Sequence, residues 1–285
     1  KAKFTKCKIS DKKKISTILS KSKFDVLLHF AAFIDVEESV EKPKKYLQNN
    51  FKNTIKLLKI CRDFNLKNII FSSTAAVYGN SKTGYCTEKS ELKPLSMYAK
   101  SKLKVENFLR KQKKLRYIVL RYFNVAGADI KLRSGLISKK KSTHLIKKLC
   151  ENFLKKKEIT INGKDYPTQD GTPVRDYIHV VDLALAHYNA SNYLLKNGKS
   201  NIFNCGYGKG FSVLEIANNF NKINKRKIKI KYGNRRKGDI SSLVSVEKKI
   251  KKVLNWRPKY NSISKILKSS LQWERKIKKS YAKKS

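Results

Sequence analysis

A doubly wound α/β fold, with helices on both faces of a parallel sheet and a smaller mixed α/β domain after it, is what this chain of 285 residues predicts. Three observations lead there. Short apolar runs at 24–32, 68–73 and 117–121 alternate with amphipathic stretches long enough for helices, the spacing of right-handed strand–helix–strand units. The runs lead into Ala31-Ala32, Ser72-Ser73-Thr74 and Tyr122-Phe123-Asn124, at the carboxyl edge where such sheets open a ligand crevice. An apolar content of 40% is ordinary for a folded protein, and the length suffices for one large domain or two small ones. The texture changes near residue 125. The expected division is therefore 1–125 for the sheet domain and 126–285 for the second, with segments of the latter returning to pack on the first.

Taken in order, the first twenty residues are Lys-rich and helix-like, and 24–32 is a strand buried on both faces. A helix is expected from about 43 to 61, with Ile55, Leu57, Leu58 and Ile60 on its apolar side. The strand 68–73, a loop with Gly79 and Gly84, a helix over 94–111 and the strand 117–121 follow. In the second half, 127–142 is loop-like, 142–156 helical, 158–162 a strand and 181–195 a helix. The strand 201–204 ends in the turn Cys205-Gly206-Tyr207-Gly208-Lys209-Gly210. Ser212 with Glu215 three residues on forms a capping box for the helix after it.

The chemistry concentrates at Ser96-Met97-Tyr98-Ala99-Lys100-Ser101-Lys102. A tyrosine and a lysine four apart share one face of a helix, and an ammonium beside a phenol favours the phenolate. Tyr98 is thus a candidate acid–base group for an alcohol, with Lys102 tuning it and Thr74 completing the set. Alone, this spacing also describes any surface tyrosine on a Lys-rich helix. Arg175 and Arg236, both in or beside turns, are candidate ligands for a diphosphate, because guanidinium forks match phosphate oxygens; Arg236 also reads as an ordinary surface arginine.

A formal charge of +46 raises nucleic acid as a partner. The lysines, however, spread over every segment instead of forming an aromatic-interleaved stripe, so a specific nucleic-acid function is not expected. No apolar run reaches membrane-spanning length. Five scattered cysteines, with no Cys-x-x-Cys pair, offer neither a disulfide framework nor a metal site, and fit the cytoplasm.

With these motifs in view, the chain resembles the extended short-chain dehydrogenase/reductase family, and within it the nucleotide-sugar epimerases. The resemblance rests on His29-Phe30-Ala31-Ala32, Glu38-Ser39-Val40, Pro43, Asn49-Asn50, and the stretches 71–79, 98–102 and 120–124. The long stretch 165–180, then Arg235-Arg236-Lys237-Gly238-Asp239 and Leu254-Asn255-Trp256-Arg257-Pro258, extend it to nearly the whole chain. It implies a Rossmann-like first domain whose opening strand, glycine-rich turn and helix, about 30 residues, precede this chain. It implies NAD as cofactor, lined by Phe30, Ala31, Ala32, Asn49, Lys102 and Tyr122. Asn124, His144, Leu145, Arg175, Tyr177, Arg236 and Asp239 would hold a UDP-sugar, and Leu243 would face its 2-substituent or else pack under the C-terminal helices. The implied reaction is inversion at C4 of a UDP-hexose through a 4-keto sugar, by a homodimer, with Thr74, Tyr98 and Lys102 as the catalytic set. Lys8, Ile34 and Lys147 depart from the family's pattern. A related dehydratase would want an Asp-Glu pair where Ala75-Ala76 stands; a non-catalytic nucleotide-sugar binder is the alternative of another class.

Overall fold

The computed structural model describes residues 2–81, 83–138, 142–236 and 239–282. In chain order the elements are α1 Lys12–Lys21, β1 Val26–His29, α2 Val36–Glu41, α3 Pro43–Tyr46, α4 Thr54–Asp63, β2 Asn68–Thr74, β3 Tyr85–Cys86 and α5 Met97–Arg110. They continue with β4 Arg116–Tyr122, β5 Asn124–Ala126, α6 Leu145–Leu154, β6 Ile159–Asn162, β7 Val174–His179, α7 Val180–Leu195 and β8 Asn201–Cys205. Last come β9 Gly210–Ser212, α8 Val213–Lys222, β10 Ile230–Gly233, β11 Ser242–Ser245, α9 Lys248–Leu254 and α10 Ile263–Ala282.

These elements fold into two compact units. The first comprises the chain up to Gly79, Leu92–Arg121 and Tyr188–Phe203. Its sheet has the strand order β1-β2-β4-β8, with β1 parallel to β2 and His29 in register with Phe71. Strand β2 is buried along its whole length, as expected of Ile69, Ile70 and Phe71 flanked by neighbours on both sides. Strand β1 is not: Leu28 is 42% exposed, and among the described residues β1 ends the strand order. One core, built from Leu57, Leu58, Cys61, Ile69, Phe71, Val105, Leu109 and Val119, joins α4 and α5 to the sheet.

The helix expected over 43–61 is three segments. Pro43 starts α3, residues Leu47–Asn53 follow as a π-helix, and α4 resumes at Thr54. Apolar spacing alone does not distinguish these turns, because the stripe at 55–60 lies wholly in α4. The wider turn brings Asn50 inward, where its amide accepts from the Phe33 N–H and donates to the Phe33 carbonyl, both at 2.9 Å. The loop after β1 is thereby tied down by one side chain that mimics a strand.

The second unit comprises Asn80–Glu91, Tyr122–His187 and the chain from Asn204 onward. It holds a sheet of order β3-β11-β7-β5, with β9 added antiparallel to β7, and a separate pair β10-β6. Its core gathers Ile146, Leu149 and Phe153 of α6, Ile216 and Phe220 of α8, and Ile266, Leu267 and Leu271 of α10. The capping box at α8 is present in full: Ser212 Oγ accepts from the Glu215 N–H, and the Glu215 carboxylate accepts from the Ser212 N–H. Ser212 also donates to Asp170, which itself accepts from the backbone of Thr172, so the cap fixes the turn ahead of β7.

Losing an N-cap costs about 0.5–2 kcal/mol. Ser212→Ala removes the cap and the Asp170 link together, so its cost lies toward the upper end; urea denaturation of this variant at an unchanged midpoint contradicts that role.

Candidate active site

In the first unit, α5 lies along the carboxyl end of β2. Ser96 caps it, accepting from the Ala99 N–H at 3.2 Å, and this sets the phase of the helix. Tyr98, half-buried, has its phenol hydrogen-bonded to Thr74. One turn on, the Lys102 ammonium is 3% exposed and donates to the Ser72 carbonyl at 2.7 Å, with the Phe71 ring centroid 4.9 Å away. Thr74, Tyr98 and Lys102 thus come together as the spacing predicts.

Their electrostatics differ from the expectation. Burial raises the Tyr98 phenol above its ordinary value, and the Thr74 hydrogen bond only partly offsets it. Burial also lowers Lys102 to about 7. The Lys102 ammonium is held by a carbonyl and an aromatic face. Behind it stands His29, lowered to about 4 by burial and then by Lys102; its Nε2 pairs with the Thr54 hydroxyl at 2.9 Å.

The loop after β1 carries Phe30, 55% exposed, and the small side chains of Ala31 and Ala32. Asn49 is half-buried and donates to Asn50 at 3.0 Å. An exposed aromatic face, two residues small enough for close backbone approach, and a buried amine one strand away fit a flat, ribose-bearing dinucleotide at a parallel strand end. Tyr122 belongs to the second unit, where its hydroxyl lies 2.6 Å from His187 Nε2.

A polar cluster forms on β7 and β11 of the second unit. Arg175 Nη2 meets Asp239 Oδ1 at 2.6 Å, and Arg175 Nη1 donates to the Val174 carbonyl at 2.8 Å. Leu243, 5% exposed, is in register with Arg175 across the β7–β11 pair. Tyr177, two residues along β7, is buried, and burial pushes its phenol well up. It pairs in register with Asn124 of β5. The two adjacent arginines part company. Arg235 is held by Asp165 at 2.7 Å and lies over the Tyr166 ring at 4.2 Å. Arg236 is exposed, and its Nε and Nη2 lie 2.6 and 3.1 Å from the Asn162 side-chain amide, which accepts from both. Its carbonyl accepts from the Asp239 N–H at 3.2 Å. His144 and Leu145 stand at the amino end of α6. Lys237 and Gly238, part of the expected basic loop, lie outside the described residues, as do 139–141 of the 127–142 loop.

Sequence reasoning passed over the residues that hold these clusters in place. Asp176, wholly buried, accepts from the Tyr207 and Gly208 N–H groups and from Ser245 Oγ at 2.9, 2.9 and 2.6 Å. Gly206 is required there, since a Cβ would stand 2.4 Å from the Asp176 carboxylate. Glu106 of α5 and Arg121 of β4 are both fully buried and paired. A legible signal existed only for Arg121, a charge in the otherwise apolar run 117–122, since α5 around Glu106 carries Lys100, Lys104 and Arg110 as well.

Comparison with known proteins places the chain among nucleotide-sugar enzymes. The family model described as GDP-mannose 4,6 dehydratase matches residues 1–269. A UDP-glucose 4-epimerase of Azospirillum brasilense is 40% identical over 270 residues, covering 93% of this chain and 77% of that protein. The crystal structure of UDP-glucose 4-epimerase from Bifidobacterium longum in complex with NAD+ and UDP superposes with a TM-score of 0.89 at 34% identity, over 95% of this chain and 82% of the other. The UDP-Glc/GlcNAc 4-epimerase of Campylobacter jejuni gives 0.81 at 41%, over 96% and 84%.

A lysine lowered to about 7 binds fewer protons in the folded than in the unfolded state between that value and its ordinary range. Its burial therefore costs stability at neutral pH, and the cost shrinks as pH rises toward 10.5. Lys102→Met is expected to be the more stable protein at pH 7, with an advantage that closes on the alkaline side. Denaturant melts of both proteins across that range measure it; a gap independent of pH contradicts the shift.

Proposed function

This chain belongs to the family of the GDP-mannose 4,6 dehydratases and UDP-glucose 4-epimerases, extended short-chain dehydrogenases/reductases, and from that membership we propose that it inverts C4 of a UDP-hexose with NAD, interconverting UDP-glucose and UDP-galactose. The observation that carries the reading is the joining of Thr74, Tyr98 and Lys102 at the end of β2.

Phe30, Ala31, Ala32, Asn49, Lys102 and Tyr122 would hold the cofactor. When bound, NAD supplies first the acceptor and then the donor for the hydrogen on C4. The residues of the chain manage the proton. Tyr98 takes it from the sugar 4-hydroxyl with Thr74 hydrogen-bonded to the phenol oxygen, and returns it once the 4-keto sugar has presented its other face. Tyr98 can accept that proton only as the phenolate, so its own proton must first leave to solvent, a loss that burial opposes in the free protein. Inversion demands that the hexose turn while the molecule stays bound. The grip must therefore be on the UDP, and Arg175, Arg236 and Asp239 are the groups we assign to it, with Asn124, His144, Leu145 and Tyr177. Of the residues we assign to the cofactor only Tyr122 belongs to the second unit, whereas those we assign to the UDP-sugar all belong to it.

The dehydratase reading is disfavoured by the residues after Thr74. Ala75 and Ala76 begin a 3-10 turn whose Ala76 N–H donates to Thr74 Oγ1 at 3.2 Å, and neither offers an acid for elimination. We further propose a homodimer in the cytoplasm; none of the five cysteines is in a disulfide, which suits a reducing compartment. No helix among the described residues is long and apolar enough to cross a membrane.

Tyr98→Phe removes only the proton-transfer group. Turnover is expected to fall by about 10²–10⁴-fold, with UDP affinity unchanged by calorimetry. Wild-type turnover in this variant refutes the assignment.

Leu243 sets the second expectation. In register with Arg175, a leucine is intermediate between a tyrosine that would narrow a sugar pocket and a small residue that would open it. It lacks a hydroxyl to bind the hexose, so UDP-N-acetylglucosamine should be turned over more weakly than UDP-glucose. Leu243→Tyr should widen the gap in kcat/KM by about 10–100-fold, the scale of 1–3 kcal/mol for such a pocket change. An unchanged ratio means that position 243 only packs.

A further inference from the structure

Tyr98, Lys102 and Glu106 follow one another at four-residue spacing on α5, and each is keyed to the end of β2. Tyr98 bonds to Thr74, and Lys102 donates to the Ser72 carbonyl. The third link is the one the mechanism does not use: Ser73 Oγ donates to Glu106 Oε1 at 2.5 Å. The same carboxylate is gripped from β4 by Arg121, whose Nε and Nη2 donate to Oε1 and Oε2 at 3.1 and 2.6 Å. Arg121 Nη1 donates to the Tyr78 hydroxyl at 2.9 Å, and its guanidinium lies 5.0 Å from the Tyr78 ring centroid. Glu106 and Arg121 are 0% exposed. Arg110, one turn along α5, stands 3.8 Å from the carboxylate at the rim.

A fully buried ion pair is a poor source of stability, because desolvation offsets its attraction and apolar residues of equal volume do as well or better. What it gives is direction. A helix held to a sheet by apolar contacts can slide or roll by fractions of an ångström at little cost, whereas a bidentate arginine–carboxylate pair fixes both translation and rotation. Here the fixed atom lies one turn from Lys102 and two from Tyr98, and its third partner is the residue next to Thr74.

We propose that Glu106 and Arg121 are positioning residues for the proton-transfer step: the pair, acting through Ser73, sets the register of α5 on β2 and so holds Tyr98 against Thr74. The inference rests on the function assigned above, and two measurements keep the two apart.

The main variant replaces the pair by apolar groups of similar size, Glu106→Leu with Arg121→Met. It should fold with a Tm no lower than wild type. Its kcat should fall at least about tenfold while KM for UDP-glucose stays within about twofold, the signature of lost alignment and not of lost binding. Near-ultraviolet titration of the phenol, taken as the difference from Tyr98→Phe, should show a displaced midpoint. A folded double variant with wild-type kcat and an unmoved phenol titration overturns the proposal. Should that variant not fold, Ser73→Ala decides, since it removes only the hydroxyl between β2 and the carboxylate. Reduced kcat with a displaced titration supports the role, and wild-type values of both overturn it. A wild-type protein without epimerase activity whose phenol titration still moves in these variants would leave the positioning intact and sink the functional assignment instead.

Discussion

An ammonium that water cannot reach must find its solvation inside the protein, and Lys102 finds it in the Ser72 carbonyl. That bond joins a helix to the carboxyl end of the most deeply buried strand of the first unit. The bond is made near the end of β2, which runs on to Thr74, and the hydroxyl-bearing Ser72 and Ser73 flank that carbonyl. The phenol of Tyr98 keeps a high proton affinity because burial penalises its charged form more than the Thr74 hydrogen bond favours it. The loop after β1 and the His29–Thr54 pair are then arranged around the same amine, with His29 kept neutral by burial and by its neighbour.

Much of this was legible from residue order. The alternation of apolar runs and amphipathic stretches located β1, β2, β4, β6 and β8 and the helices α5, α6 and α7 to within a few residues, because a two-sided sheet leaves few other ways to bury Ile69–Phe71 or Ile118–Leu120. It gave no strand at β7, β10 or β11. The capping box at Ser212 and the Tyr98–Lys102 spacing were readable because both depend on local periodicity. What stayed hidden depends on partners far apart in sequence. Leu28 lies in an apolar run that reads as doubly buried, yet it is half-exposed on the strand that ends the order among the described residues. The lowered lysine and the raised tyrosine follow from desolvation, which spacing does not report. Asp176 and Glu106 looked like ordinary charges until the folded chain surrounded them.

Acidic residues are scarce in this chain, 21 against 67 basic ones. Several of the few carboxylates are structural. Asp176 ties β7 to β11 and to the glycine turn after β8, and Glu274 neutralises the buried Lys147 at 2.5 Å, joining α6 to α10. Asp239 pairs with Arg175. A surface that has drifted so far toward lysine has kept its carboxylates where a cation or a row of N–H groups would otherwise be stranded. The charge excess is a property of the exterior, and it says little about the sites.

The π-helical turns at Leu47–Asn53 carry a consequence for how the gene can change length. In an α-helix each residue advances the side-chain direction by about 100°. Loss of one codon in this segment could be absorbed without breaking the helix, by collapse to ordinary α turns. The helix would survive and its reading would not: Asn50 would swing away from the Phe33 backbone, or Thr54 from His29, since Asn50 lies within the widened turns and Thr54 just after them. A one-residue deletion here would thus leave the helix formed while unfastening the loop or the imidazole behind the buried amine.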